Sequence, residues 1–190
     1  MKNNKSFFVL LAVLVIVIAG AWFLYDSLGS QFSTAGLASQ ETTTPEDAAD
    51  TSATAQNFTV TDLQGNPVEL QDFSDKPILL NFWASWCGPC KSEMPDLEEA
   101  YQKYGNDIHF LIVNLTDGSR ETVASASAYI QQQAYSFPVY YDTTMEAAMA
   151  YQTYSIPVTY FIGAGGVPLA YYTGAMSADI LQQGIDLLLS

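Results

Sequence analysis

The only two cysteines of this 190-residue chain stand three positions apart, inside the run Asn81-Phe82-Trp83-Ala84-Ser85-Trp86-Cys87-Gly88-Pro89-Cys90-Lys91. An apolar stretch, Ile78 to Phe82, leads into the pair, and a segment of helical periodicity, Lys91 to Tyr104, leaves it. Any fold for this chain must therefore turn a buried strand directly into a helix at Cys87. Unpaired N–H groups and the positive end of the helix dipole favour a thiolate there, and they lower a cysteine pKa from about 8.5 towards roughly 7 in such motifs. Cys90, one helical turn further in, is placed to attack a mixed disulfide at Cys87 and release the partner reduced.

The same spacing also forms half of many zinc sites. Structural zinc needs four ligands, and the chain offers only one histidine, His109, nineteen residues after Cys90, so no metal site is expected. A purely structural bridge is the third reading, but closing so short a loop constrains the unfolded chain very little. Redox chemistry is the strongest of the three.

The runs FWASWCGPCKSEMP and YSIPVTYFIGAGGVPLAYYTG, with FPVYYDTTMEAAMAYQTYSIP ahead of the second proline loop, carry a family resemblance. Over residues 57–190 the chain resembles the thioredoxin superfamily, and within it the membrane-anchored extracytoplasmic thiol-disulfide oxidoreductases of the TlpA/ResA type. The resemblance implies an α/β, thioredoxin-like fold: a central mixed sheet flanked by helices, with an N-terminal β-hairpin extension. It also implies that no cofactor is needed beyond the redox-active disulfide Cys87–Cys90.

Several residue roles follow from the same resemblance. Ile156-Pro157 matches the loop proline placed opposite the thiols, where the bond before proline is cis and the backbone can pair with an extended substrate. Glu93 matches an acid-base group near the thiols, able to take the proton of Cys90; its bland alternative is a solvated glutamate favoured by the helix dipole. Asn81 departs from thioredoxins proper, which carry a buried aspartate there. Trp86 reads as a contact surface beside Cys87, and Trp83 as packing beneath the helix. Gly88-Pro89 is the thioredoxin dipeptide, and thioredoxin is reducing, at about −270 mV against about −120 mV for the oxidant DsbA.

The chain opens with Lys2 and Lys5 and then runs without charge from Ser6 to Tyr25; as a helix, Phe7 to Tyr25 would be about 28 Å long. Residues 1–25 are therefore expected to be a cytoplasmic stub and transmembrane signal anchor. No Lys or Arg recurs before Lys76, which places the remainder outside the cell membrane in a single pass. A cleaved signal peptide is the competing reading, with Ala35 to Ala38 a loose cleavage match. Residues 26–56, rich in Ser, Thr, Ala and acid, have the composition of a solvated tether.

Within residues 57–190, strands are expected at Phe58–Leu63 and Val68–Leu70 about a Gly65-Asn66-Pro67 turn, then at Ile78–Phe82, Ile108–Asn114, Phe137–Tyr141, Val158–Ile162 and Val167–Tyr172. Helices are expected from Lys91, kinked at Pro95, over Glu121–Ala134 with Val123 and Ile130 inward, over Thr144–Tyr154 with Met145, Met149 and Tyr151 in the core, and over Ser177–Leu189.

This domain carries four basic and fifteen acidic residues, which weighs against nucleic acid and anionic lipid as partners. The expected partners are a protein disulfide, with apocytochrome c one such target by resemblance, a membrane-embedded thiol electron donor, and the membrane itself through the N-terminal helix. Two other readings share the residues. A thiol peroxidase would want a threonine before its cysteine and an arginine nearby, whereas Trp86 precedes Cys87 and Arg120 is the only arginine. A copper-binding metallochaperone or redox sensor would add a histidine to the pair, and His109 is the only one.

Overall fold

The computed structural model describes residues 54–190 together with the two-residue strand Ala38–Ser39. The expected anchor over residues 1–25, and the expected tether apart from Ala38–Ser39 and residues 54–56, lie outside the described residues.

The strand that delivers the cysteines is the centre of the sheet. All six residues of Ile78–Trp83 are buried, because neighbours flank the strand on both edges and side chains cover both faces. In chain order the strands are β1 (Ala38–Ser39), β2 (Thr59–Thr61), β3 (Pro67–Glu69), β4 (Ile78–Trp83), β5 (His109–Asn114), β6 (Val139–Tyr141), β7 (Val158–Gly163) and β8 (Val167–Thr173). They lie in the order β1-β8-β7-β4-β5-β6-β2-β3. β4, β5 and β6 run parallel, whereas β7 is antiparallel to β4 and β8 to β7, so the sheet is mixed.

The helices among the described residues are α1 (Gly88–Tyr104), α2 (Val123–Gln133), α3 (Glu146–Ala150) and α4 (Ala178–Leu188). The two-residue period of β4 divides the core. Leu79 and Trp83 meet Phe110, Ile112 and Phe161 with Met94 and Leu97 of α1 and Leu181 and Ile185 of α4. Ile78, Leu80 and Phe82 meet Leu111, Val113 and Ile162 with Phe58, Val60 and Leu70 of the N-terminal hairpin. α4 is capped by Ser177, whose side chain accepts the Ile180 N–H, and it approaches β7 so closely that a Cβ at Gly184 would stand 2.1 Å from the Phe161 ring.

The expected hairpin is present but short. Asp62 accepts the N–H groups of Gln64 and Asn66, Gly65 turns the chain at φ +84°, and β2 joins the sheet by pairing with β6 at Thr61 and Tyr141. The sequence overestimates the helix at 144–154. Only Glu146–Ala150 is helical, and Met149, read as core, is 68% exposed, while Tyr151 packs edge-on against Phe58 and Tyr160 at 5.5 and 4.8 Å. In α2 the fully buried residue is Ala126, with Val123 and Ile130 packed at the margin of the core. α1 continues as one helix through Pro95.

Candidate active site

β4 ends at Trp83 and α1 begins at Gly88, so residues 84–87 must turn the chain and cap a helix at once. Cys87 does the capping. Its backbone is extended, at φ −81° and ψ 109°, and its sulfur accepts the Cys90 N–H at 3.1 Å, the bond that a serine or threonine hydroxyl makes at other helix starts. Pro89 fits the first turn because its missing N–H costs nothing there. The two sulfurs are joined, at a Cα–Cα distance of 5.3 Å. Cys90 is fully buried and Cys87 is 4% exposed, whereas Gly88 and Pro89 are open to solvent. Of the two sulfurs, that of Cys87 is the one a partner can reach.

The Ile156–Pro157 bond is cis, and the Ile156 carbonyl oxygen lies 3.7 Å from the Cys87 sulfur. In the disulfide this is only a contact, since neither sulfur carries a proton. Pro157 is buried and Ile156 half-buried, so the loop faces the cysteines across a short gap. Trp86 stands 41% exposed beside Cys87, while Trp83 is fully buried with its ring 5.9 Å from that of Tyr129.

Glu93, one turn beyond Cys90 on α1, is not a solvated first-turn residue: it is 2% exposed. One carboxylate oxygen accepts the Asn81 Nδ2 at 2.9 Å and the other accepts the Met176 N–H at 2.9 Å. Burial pushes its acid up from 4.5 to about 7, against the pull of the Met176 and Asn81 donors and with a small added push from Asp96. Asn81 is held in turn by Thr159, whose Oγ1 accepts the same Nδ2 at 2.8 Å. A carboxyl that titrates near neutrality thus sits behind the thiol pair on the same helix face, braced by an amide that cannot titrate.

A second buried carboxylate was not legible as part of the site. Glu121, fully buried, accepts the Ser85 N–H at 2.6 Å and the Ser85 hydroxyl at 3.0 Å, which ties the turn before Cys87 to the loop that precedes α2. Thirty-six residues separate the partners, and no local pattern signals the pairing. His109, by contrast, is remote. It pairs with Ile78 at the far end of β4, five residues and roughly 17 Å from Trp83, and binds Asp75 at 2.7 Å.

Residues 51–167 match the family model described as AhpC/TSA family. The chain belongs to the AhpC/TSA family. The thiol-disulfide oxidoreductase ResA of Bacillus cereus is 30% identical to this AhpC/TSA chain over 183 residues, with 96% of each chain covered. Among solved structures, a thiol:disulfide interchange protein from Chlorobium tepidum, a candidate DsbE, is 28% identical at a TM-score of 0.64, covering 72% of this chain and 96% of that one. The exposed lipoprotein thioredoxin Etrx1 of Streptococcus pneumoniae is 27% identical at a TM-score of 0.61, covering 69% and 98%. Within the AhpC/TSA family this chain is a ResA-like thiol-disulfide oxidoreductase with a thioredoxin-like fold, and Cys87–Cys90 is its disulfide.

Proposed function

We propose that the protein is a membrane-tethered, extracytoplasmic reductase of protein disulfides. The observation that carries the chemistry is the cap: a sulfur aligned with the free N–H at a helix start is stabilised as the anion, which makes Cys87 both a competent nucleophile and a good leaving group. In the reduced protein the Cys87 thiolate attacks one sulfur of the partner disulfide, and the partner's second sulfur departs as a thiolate that takes up a proton. Cys90 then gives its proton to Glu93 and attacks Cys87. The Cys87–Cys90 bond forms, the mixed disulfide breaks, and the partner sulfur that Cys87 had attacked departs as a thiolate that takes up the proton released through Glu93, so the partner leaves with two thiols; two electrons have passed from the cysteine pair to it. The exposed backbone at Gly88 and Pro89, the exposed part of Trp86 and the Ile156 carbonyl form the surface on which an extended partner segment would lie.

The reducing direction draws support from Gly88-Pro89, the dipeptide of reducing thioredoxins. Tethering draws support from Lys2 and Lys5 before an uncharged apolar run, and from alignment with ResA over 96% of the chain. Among the described residues no helix is long and apolar enough to cross a membrane. A reductant outside the membrane needs electrons delivered, so a membrane-embedded thiol carrier is the proposed donor. Apocytochrome c, whose haem-binding cysteines must be reduced before attachment, is the proposed target.

Acid quenching of native cells followed by alkylation reads the state of Cys87 and Cys90 directly. A pair held mostly reduced, turning oxidised when the donor is removed, is the expected result. A pair already oxidised with the donor present would reverse the proposed direction of flow. A Cys90→Ser variant should accumulate mixed disulfides through Cys87, and their partners identify the substrate.

A further inference from the structure

Residues 57–190 hold only four cations among fifteen acidic side chains, and the placement of those four is uneven. Lys76 donates to the Asn106 carbonyl, and Lys103 lies over the Tyr104 ring near the far end of α1. The other two border the disulfide. Lys91 follows Cys90 directly, its Nζ 5.5 Å from the Tyr129 ring, and the Arg120 guanidinium carbon lies 3.6 Å from the centroid of the Trp86 ring, beside Cys87. Neither Lys91 nor Arg120 makes an ion pair among the described residues.

Arg120 is held where it is. Asp117 Oδ1 accepts the N–H groups of Ser119 and Glu121 at 2.7 and 2.9 Å, Gly118 at φ +72° donates to the Glu121 carbonyl, and the buried Glu121 carboxylate bolts this turn to Ser85 and to the Ser125 hydroxyl. The loop that carries the chain's only arginine and the loop that carries the reactive cysteine are therefore tied directly to each other. The guanidinium lies over the indole, and although Asp117 of the same loop feels its charge, it makes no ion pair among the described residues, so its N–H donors can still meet a planar anion.

From this geometry we infer that Arg120, seconded by Lys91, selects partner segments that carry a carboxylate side chain next to the cysteine under attack. The inference rests on the exchange reading of Cys87 given above and deepens it by naming a substrate class. The preference is local. At long range the excess of acid repels anionic partners, so the carboxylate must sit within a residue or two of the partner cysteine to reach the guanidinium.

The test uses the reduced full chain and three short disulfide peptides that differ only in the residue beside the attacked cysteine: Glu, Gln or Lys. At about 0.15 M salt, which screens the domain's long-range field to about 8 Å, the Glu peptide should react about threefold faster than the Gln peptide, the scale of an exposed ion pair, and the Lys peptide more slowly than both. Arg120→Gln should bring the Glu peptide down to the Gln rate and leave the Gln rate within about twofold; Arg120→Lys, which keeps the charge, should retain part of the preference. Equal rates on all three peptides with the unaltered protein would overturn the inference, as would an Arg120→Gln variant that slows every peptide alike, the mark of an arginine that merely packs Trp86. If no peptide is reduced at all, the exchange reading falls and this inference with it. Reduction of the Gln peptide without any charge preference sinks the inference alone.

Discussion

Replacing Glu93 by glutamine should remove a defined piece of the pH dependence of stability. Measured in the oxidised protein, the change is free of thiol titration, because both sulfurs are bonded. Burial holds the folded carboxyl protonated up to about 7, whereas the unfolded chain ionises near 4.5. Below pH 4.5 the group is protonated in both states and its contribution is fully present. As pH rises from 4.5 to about 7 the unfolded chain releases a proton that the folded protein retains, so unfolding becomes easier; above 7 the loss is complete. A gap of about two and a half pH units at about 1.36 kcal/mol each amounts to about 3 kcal/mol. Other buried acids, such as Asp142, which burial also pushes up, are common to both proteins and cancel in the difference. Glutamine turns its NH2 to one of the two donors, Asn81 Nδ2 or the Met176 N–H, where the hydroxyl oxygen of the protonated acid can still accept weakly, so the variant should be less stable by about 1 kcal/mol at low pH. Urea unfolding of both proteins at half-unit steps from pH 4 to 8.5 gives the comparison. The stability of the unaltered protein relative to the variant should fall by about 3 kcal/mol across that range. Parallel curves, or an advantage that grows with pH, would refute the assignment of a raised acid to Glu93.

The same substitution should slow the resolving step: release of a partner from the mixed disulfide, followed by rapid quench, should rise with pH through about 7 in the unaltered protein and fall by about a hundredfold, without that rise, in Glu93→Gln. Asn81→Ala removes a donor that favours the carboxylate, so the midpoint of that rise should move above 7, and a midpoint that stays or falls would show that Asn81 does not act on Glu93. Gly184→Ala drives a methyl group into the Phe161 ring and should destabilise the fold by about 1–3 kcal/mol in urea unfolding, with exchange chemistry at Cys87 unchanged once folded. Gly88→Ala meets nothing within 4 Å and should change stability by less than about 0.5 kcal/mol, which makes it the variant in which a shift of redox potential can be read without a packing effect. Hydrogen peroxide consumption should be no faster than that of an ordinary thiol of the same pKa; rapid turnover would favour the peroxidase reading.

What was legible in the sequence is what local pattern encodes. β4 could be read over Ile78–Phe82 because a largely apolar run just ahead of the cysteines has the pattern of a buried strand, and the helix start at Cys87 could be read because helical periodicity follows it; the cap made by its sulfur could not. Glu93 could be placed on the right helix face by its spacing of three from Cys90, but spacing alone could not say whether that face was wet; the answer came from Asn81 in β4, Thr159 in β7 and the Met176 N–H, which the chain brings together from far apart. Met149 went the other way: helical periodicity placed it inside, yet α3 is a single turn over the sheet, and one turn buries Ala147 and Ala148 while turning Met149 out. Glu121 shows the limit most clearly. The sequence places it at the start of a helix over Glu121–Ala134, whereas the helix begins at Val123, and no local pattern announces that this acid is buried against Ser85, because that burial depends on β4 and β5 lying parallel, with their ends aligned at Trp83 and Asn114. The parallel register sets the loop after β5 beside the loop after β4. It is this alignment, rather than any motif, that carries Arg120 to the face of Trp86, so a substrate preference at this site would be a property of the sheet before it is a property of the cysteine motif.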